Sequence, residues 1–395
     1  MKGIFLCLYL PPEPSSSKHL LFDVVETSAK EGFENLLLAP NPVRGLSKEE
    51  VRKNCIRTEE KLHDALLIRL PCFSFGESSY AFRFVRVHSF IRKALAFIKK
   101  QKDVAFVYVP SNPPILWALS IEKLARKMGF KVIYNINDIY PDIVFRKGSF
   151  LYRLLNKKAI KALKSADQIT TLSEDMKDTL LLKGVVSSKI HVIPPWEYQG
   201  SELNSQQREL LLSSCNLGNG FFNVCYIGNI GKFQNMSFLI KAASLERDDS
   251  VHFHIIGGGR ELAELNNSGF LPDNLFIHDR VSENEAKFLY SVSAVNVISL
   301  NPGIVKLACP SKTPLCLLAE KPIIVIVDPD SKYAQEMKDK YNAYVVDPKD
   351  PSVLPSVIAS IKSAKPLSPY PLPQFKELAM MAWGNLFREI RRTIT

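Results

Sequence analysis

The sequence predicts an α/β protein made of two doubly wound parallel-sheet domains, and three observations carry the prediction. Short apolar runs rich in β-branched residues alternate with longer amphipathic segments along nearly the whole length, which is the rhythm of parallel strands joined by crossover helices. At 395 residues the chain is longer than one core requires and suits two or three domains. The alternation breaks once, between Pro194 and Gly220, in a polar stretch that opens on Pro194-Pro195 and ends in Gly218-Asn219-Gly220. These features divide the chain into a first domain over 1–195, a connection over 196–220 and a second domain over 221–370, with a terminal helix over 371–395.

The elements follow in order. First-half strands are expected to begin at Gly3, Asn35, His63, Asp103, Lys131, Gln168 and Ile190. Second-half strands read as FFNVCYIG, VHFHIIGGG, NLFIHD, AVNVISL, KPIIVIV and NAYVV, with a helix from Glu283 to Tyr290 among the connecting segments. The stretch 365–373 is proline-rich, and Gln374 to Arg392 carries Met380, Trp383, Leu386 and Phe387, an apolar face that must dock on something.

The amino terminus, MKGIFLCLYLPPEP, places a lysine before an apolar run. That run stops at Pro11-Pro12 with no small-residue cleavage site, so it reads as a buried first strand rather than a signal peptide. No stretch approaches the ~18 apolar residues of a spanning helix, so any membrane contact is expected to be peripheral. The seven cysteines form no C-x-x-C pair and have no histidine at ligand spacing. Reduced thiols in a cytoplasmic protein follow, and no zinc module.

Four segments can carry chemistry. In YIGNIGKFQN, Gly228 and Gly231 let backbone approach a ligand between a strand and a helix, which also describes a plain tight turn; neither a Walker loop nor a full G-x-G-x-x-G is present. In HFHIIGGGRELAEL, Gly257, Gly258 and Gly259 end a strand and Arg260 stands at its mouth, a ligand contact or a solvated helix start. His252 and His254 share a strand face at a spacing that can hold a metal, but no third ligand is in view and half-buried strand histidines are the favoured reading. In PGIVKLACPSKTPLCLLAEKPIIV, Ser311 and Lys312 precede a helical run, where a lysine meets a phosphate as a point charge or is simply a surface residue. In YNINDIYPD, Asp138 can orient sugar hydroxyls or accept a proton, with a turn former as the plain alternative; Asp142 is a candidate N-cap.

In this order, these segments resemble the nucleotide-sugar-dependent glycosyltransferases of family 4, in particular the bacterial branch that builds surface polysaccharides and O-antigens. The carriers are the Y-x-P-P loop in YLPPEPSSSKH, the D-x-x-P-D element DIYPD, the run SADQITTLSEDMKDTLLLKGVVSSKIHVIP, the G-N-x-G turn, the strand ending in GGG, and PSK followed by KPII. The resemblance implies a GT-B fold, two Rossmann-like domains facing across a cleft, with the last helix crossing back onto the first domain. It implies transfer with retention of configuration from a nucleotide-diphosphate sugar to a lipid-linked oligosaccharide, with no metal or other cofactor.

On this resemblance the donor contacts are Gly228, Asn229, Gly231, Lys232, Gly257, Gly258, Arg260, Ser311 and Lys312, and the acceptor contacts are Ser16, His19 and Asp138. Asp138, Lys232 and Lys312 are the expected catalytic groups, the two lysines stabilising the leaving diphosphate together with the glycine-turn amides. Two departures from the family stand out. Its arginine and lysine after the glycine turn are Asn229 and Gln234 here, and its pair of glutamates falls on Leu307 and Leu315, which cannot accept hydrogen bonds from a ribose.

Lysine and arginine number 51 against 40 acidic residues, a net charge of +11. Two acid-free stretches, 78–102 and 143–166, carry the whole excess, so the remainder is slightly acidic. On helices the first would set Phe84, Val87, Ile91, Leu95 and Ile98 against the sheet, leaving Arg86, Phe90, Lys93, Phe97 and Lys100 outward; the second would align Arg153, Lys157, Lys161 and Lys164 in a stripe with Leu151, Leu155 and Ala162 behind. Exposed rings among unpaired cations suit an anionic membrane surface. A nucleic-acid partner is not expected, because no recognisable binding motif accompanies the charge.

The reading is therefore a cytoplasmic glycosyltransferase, peripheral on the inner face of the plasma membrane. A non-catalytic glycosyltransferase-like subunit is the alternative that Leu307 and Leu315 motivate. A nucleotide-sugar 2-epimerase comes third, since no cluster of acidic and histidine residues supports it.

Overall fold

A computed structural model describes residues 1–13, 18–53, 58–72, 80–111, 116–197, 200–217, 220–262, 271–364 and 374–394. It divides into two compact units, Met1–Pro194 with Lys376–Thr395, and Pro195–Phe375. Ser16 lies outside the described residues, as does the proline-rich stretch 365–373.

The first unit holds strands β1 (Lys2–Leu6), β2 (Glu34–Pro40), β3 (Thr58–Leu62), β4 (Ala65–Leu70), β5 (Val104–Pro110), β6 (Lys131–Ile136), β7 (Gln168–Thr171) and β8 (Ile190–Val192). They form one sheet in the order β3-β4-β2-β1-β5-β6-β7-β8, parallel except for the antiparallel pair β3–β4. The sequence reading expected one strand from His63 where a hairpin stands instead. Its first arm, TEEKL, is mostly exposed at the sheet edge, so it carries no apolar run to announce it, and His63 turns the chain at φ 51°.

The second unit holds β9 (Phe222–Asn229), β10 (Val251–Gly258), β11 (Leu275–His278), β12 (Val295–Ser299), β13 (Ile323–Ile326) and β14 (Tyr344–Val346), in the order β11-β10-β9-β12-β13-β14. All its pairings are parallel. Central strands are buried on both faces, which is why they read as unbroken apolar runs. The stretch expected as a connection contains the helix Ser205–Ser214, closed by a capping box between Asn204 and Gln207; its Leu211 and Cys215 join the core of the second unit.

Strand order reverses at β1, between β2 and β5, and at β9, between β10 and β12. In open parallel sheets, ligands sit beyond the carboxyl ends of strands at such reversals. Each unit therefore has one place where a site belongs.

The last helix, Phe375–Ile394, packs on the first unit. The Phe387 ring stacks on Phe106 at 5.2 Å, Trp383 lies 6.0 Å from Tyr108, and Lys376 pairs with Asp23 at 2.9 Å. Arg388 pairs with Glu31 beside them. These contacts take up the apolar stripe that the sequence left without a partner.

Candidate functional site

In the second unit the carboxyl ends of β9 and β10 run closer than side chains permit. Their register pairs Gly228 with Gly257 and Asn229 with Gly258. A Cβ on Gly257 would stand 1.8 Å from the Gly228 carbonyl oxygen, and one on Gly259 would stand 1.8 Å from that of Ile230. Glycine is thus required by contact, and the result is a bare backbone edge.

Lys312 closes this edge from beneath. Its Nζ lies 3.5 Å from the centroid of the Tyr226 ring and 2.8 Å from where a Gly228 Cβ would be. The Tyr226 hydroxyl donates to the Asn229 carbonyl oxygen at 2.6 Å, which fixes the ring. Nζ is buried and has no hydrogen-bond acceptor among the described residues. Burial brings its pKa down to about 7, against a small upward push from the Cys316 thiol. A buried ammonium without a carboxylate partner is a charge waiting for an anion.

The other expected donor contacts surround the edge. Asn229 donates from Nδ2 to Gln234 Oε1 at 3.1 Å, so the two residues that replace the family cations hold each other. Lys232 and Ser311 are exposed, as is Arg260. The Lys232 carbonyl accepts from Asn301 Nδ2 at 2.7 Å, tying the turn to the end of β12. Leu315 packs against the apolar core and Leu307 is half-buried.

His254 is buried and hydrogen-bonded at both nitrogens, Nδ1 to His278 Nε2 at 3.0 Å and Nε2 to Asn223 Oδ1 at 3.0 Å. Burial, with two neighbouring histidines, pushes its pKa down to about 3, so it stays neutral in the core. Among the described residues no group of three or more His, Cys, Asp or Glu is placed to hold a metal.

In the first unit, Asp138 follows β6 at the carboxyl edge. Its backbone N–H donates to Ser111 Oγ at 3.4 Å, and burial raises its carboxyl pKa to about 6. Asp142 is not an N-cap: it pairs with Lys183 at 2.7 Å and accepts from the Tyr152 hydroxyl at 3.1 Å. His19 is half-buried on the helix Lys18–Lys30.

Two of the residues expected at a membrane lie inside the protein. Arg86 is 2% exposed: its Nη2 pairs with Glu13 Oε1 at 3.0 Å and donates to the Asn41 carbonyl at 2.7 Å. Glu13 Oε1 also accepts from the backbone N–H groups of Val43 and Arg44 at 2.8 and 2.9 Å. Arg86 is therefore the clamp of the first βα loop. Phe90 is 1% exposed and lines a small apolar recess with Leu6, Leu8 and Pro110, where strand order reverses.

The helix Tyr80–Ile98 is rotated from the expected face. It buries Val87, Phe90, Ile91, Ala94 and Ile98, and leaves Phe84 exposed. Phe97 is half-buried, Lys100 is exposed, and Lys93 is exposed with Nζ donating to the Pro71 carbonyl. Arg153, Lys157 and Lys161 on the helix Phe150–Ser165 are exposed as expected, but so is Leu151.

The Glycosyltransferase Family 4 profile matches residues 20–196, nearly all of the first unit before its terminal helix. The first unit is therefore similar to the family 4 glycosyltransferases. It is 23% identical over 301 residues to the probable glycosyltransferase WbjE of Pseudomonas aeruginosa, covering 73% of this chain and 75% of that one. It is 26% identical over 279 residues to the putative colanic acid biosynthesis glycosyl transferase WcaI of Escherichia coli K12, covering 67% and 68%. Among solved structures, Anabaena Alr3699/HepE in complex with UDP-glucose superposes with a TM-score of 0.64 at 13% identity, over 100% of this chain and 99% of that one. The fold is GT-B, two Rossmann-like units.

The sequence reading missed Tyr226 and Glu13. Tyr226 had a signal, since it stands two residues before Gly228 on an alternating strand and so shares its face. Glu13 had none, because its partners are distant in sequence.

Proposed function

We propose that this glycosyltransferase moves a hexosyl group, with retention, from a nucleotide-diphosphate sugar on the second unit to a lipid-linked saccharide on the first. The product is a growing cell-surface polysaccharide. The observation that carries this reading is the unpaired Lys312 Nζ beneath the glycine edge of β9 and β10. A diphosphate set on that edge meets backbone N–H groups and gives Lys312 the anion that it lacks. The name of WbjE supports glycosyl transfer, that of WcaI a polysaccharide product, and the UDP-glucose held by Alr3699/HepE a nucleotide-sugar donor.

Roles follow from position. Gly228, Gly231, Gly257 and Gly258 admit the diphosphate, and Asn229, Arg260 and Ser311 contact its rim. When the bond between the anomeric carbon and the phosphate oxygen breaks, its electron pair passes to the diphosphate, where Lys312 and Lys232 stabilise the added charge; the acceptor hydroxyl oxygen bonds the same carbon and its proton leaves with the diphosphate. Asp138, with His19 and Ser16, orients acceptor hydroxyls on the first unit. No metal is assigned to this chemistry, and Lys312 does the work of a counter-cation. The site of action is the inner face of the plasma membrane, at an anionic surface; no helix among the described residues is long and apolar enough to cross it.

The test is incubation of the full chain with a panel of nucleotide sugars and membrane lipid extract, following release of nucleoside diphosphate. Release with one donor and its loss in Lys312→Ala support the reading, whereas silence across the panel with no nucleotide binding contradicts it. A second reading, a non-catalytic binding subunit, is favoured by Leu315 packing into the core where a ribose contact would otherwise stand. In that case Lys312→Ala leaves biological function intact.

A further inference from the structure

The helix Phe150–Ser165 carries most of the second acid-free stretch. Its inner face, Ala159, Ala162 and Leu163, is buried, so its outer face is fixed. That outer face is divided along its length rather than around its circumference. The first turn presents Phe150, 83% exposed, with Leu151 at 47% and Leu154 at 45%. The following turns present Lys157, Lys158, Lys161 and Lys164, all exposed. Arg146 and Lys147 precede the tip, Arg153 lies within it, and Val144 is a further exposed apolar residue.

The tip is held rigidly. Ser149 caps the helix by accepting from the Tyr152 N–H at 3.2 Å. The Tyr152 hydroxyl donates to Asp142, and Lys183 Nζ reaches both Asp142 at 2.7 Å and Asn156 at 3.0 Å. Two side chains of the first turns are thereby pinned, while Phe150, Leu151 and Leu154 remain outside. The helix starts from the loop that leaves the carboxyl end of β6, the edge that also carries Asp138.

We infer that Phe150, Leu151 and Leu154 insert into an anionic bilayer as an apolar tip, with Arg146, Lys147, Arg153, Lys157, Lys158 and Lys161 meeting the lipid phosphates around it. The inference extends the membrane-surface reading above and moves the anchor from the helix Tyr80–Ile98 to this one. An exposed ring and two leucines side by side are costly in water and favourable in the headgroup–acyl boundary. A rise of 1.5 Å per residue places Lys157 and Lys158 about 5 Å behind Leu154, the depth of the headgroups around an inserted tip. The charge selects the partner. No acidic residue lies between 143 and 166, so a second copy of this face would be repelled, whereas anionic lipid is attracted at both tip and shaft.

The experiment is co-sedimentation of the full chain with vesicles of phosphatidylcholine alone and with about one-third phosphatidylglycerol. Expected is binding to the anionic vesicles only, a loss of at least about tenfold in Phe150→Ser/Leu154→Ser at unchanged Tm, and a similar loss in Lys157→Gln/Lys158→Gln/Lys161→Gln. Wild-type protein that stays in solution, or a double variant that binds as tightly as wild type, overturns the inference. So does a wild-type dimer that the double variant converts to monomer by light scattering. Nucleotide binding by calorimetry is expected to be unchanged in both variants, so failure of the donor reading is seen separately.

Discussion

The Lys312 Nζ lies 3.5 Å from the centroid of the Tyr226 ring, buried and without a hydrogen-bond acceptor. The ring face offers a cation an electrostatic contact of about 2 kcal/mol or more when desolvated, against the larger cost of burying an ammonium. Below about pH 7 the free protein therefore carries an unfavourable charge at this position, which an arriving diphosphate would neutralise.

A pH-dependent cost of that charge is the first prediction. The folded pKa of Lys312 is lowered from 10.5 to about 7, so between those values the unfolded chain binds the proton and the folded chain does not. Stability therefore rises with pH across this window. Lys312→Met is expected to raise Tm, most below pH 7, with the gain fading towards pH 10.5. A Tm lowered at neutral pH would show that the amine is satisfied.

Asp138 gives the opposite slope. Its carboxyl pKa is raised from 3.8 to about 6 by burial, so the folded chain holds the proton longer and stability falls as pH rises through that window. Asp138→Asn is expected to match wild type below pH 3.8 and to gain stability above about 6. Thermal scans at both ends of the window decide it, and a variant less stable than wild type at pH 7 contradicts it.

Gly257→Ala tests the glycine edge. The added methyl would stand 1.8 Å from the Gly228 carbonyl oxygen, so the ends of β9 and β10 must part. A loss of about 1–3 kcal/mol by denaturant unfolding is expected, with weaker nucleotide binding. Unchanged affinity would remove this edge from the donor site.

Arg86→Ala separates a clamp from a membrane contact. Leaving Glu13 buried without its partner is expected to cost about 3–5 kcal/mol, read by urea unfolding. Affinity of the folded fraction for anionic vesicles should not change, whereas a selective loss of vesicle binding at full stability would restore Arg86 to the surface.

The two-sheet architecture was legible because parallel strands buried on both faces leave long apolar runs, as in KPIIVIV and VHFHIIGGG. The β3 arm was not, because an exposed edge strand such as TEEKL carries no such signature. In the proposed donor site, Gly228 and Lys312 are read from local motifs, while the role of Tyr226 depends on a lysine 86 positions away. The basic helices show the limit most clearly. Periodicity alone put Arg86 and Phe90 outside, yet a buried carboxylate from the first loop draws Arg86 inward, and the face turns with it. On the helix Phe150–Ser165 the division runs along the axis, which a search for one apolar stripe around a helix does not detect.

Nucleotide binding at Lys312 tests the central claim most directly. Calorimetric titration of the full chain with UDP and the other nucleoside diphosphates is predicted to give one site for at least one of them. Lys312→Met should weaken that site by one to two decades, about 1.5–3 kcal/mol for a lost charge-assisted contact. Equal affinity in wild type and Lys312→Met, or no binding by wild type to any of them, would contradict it.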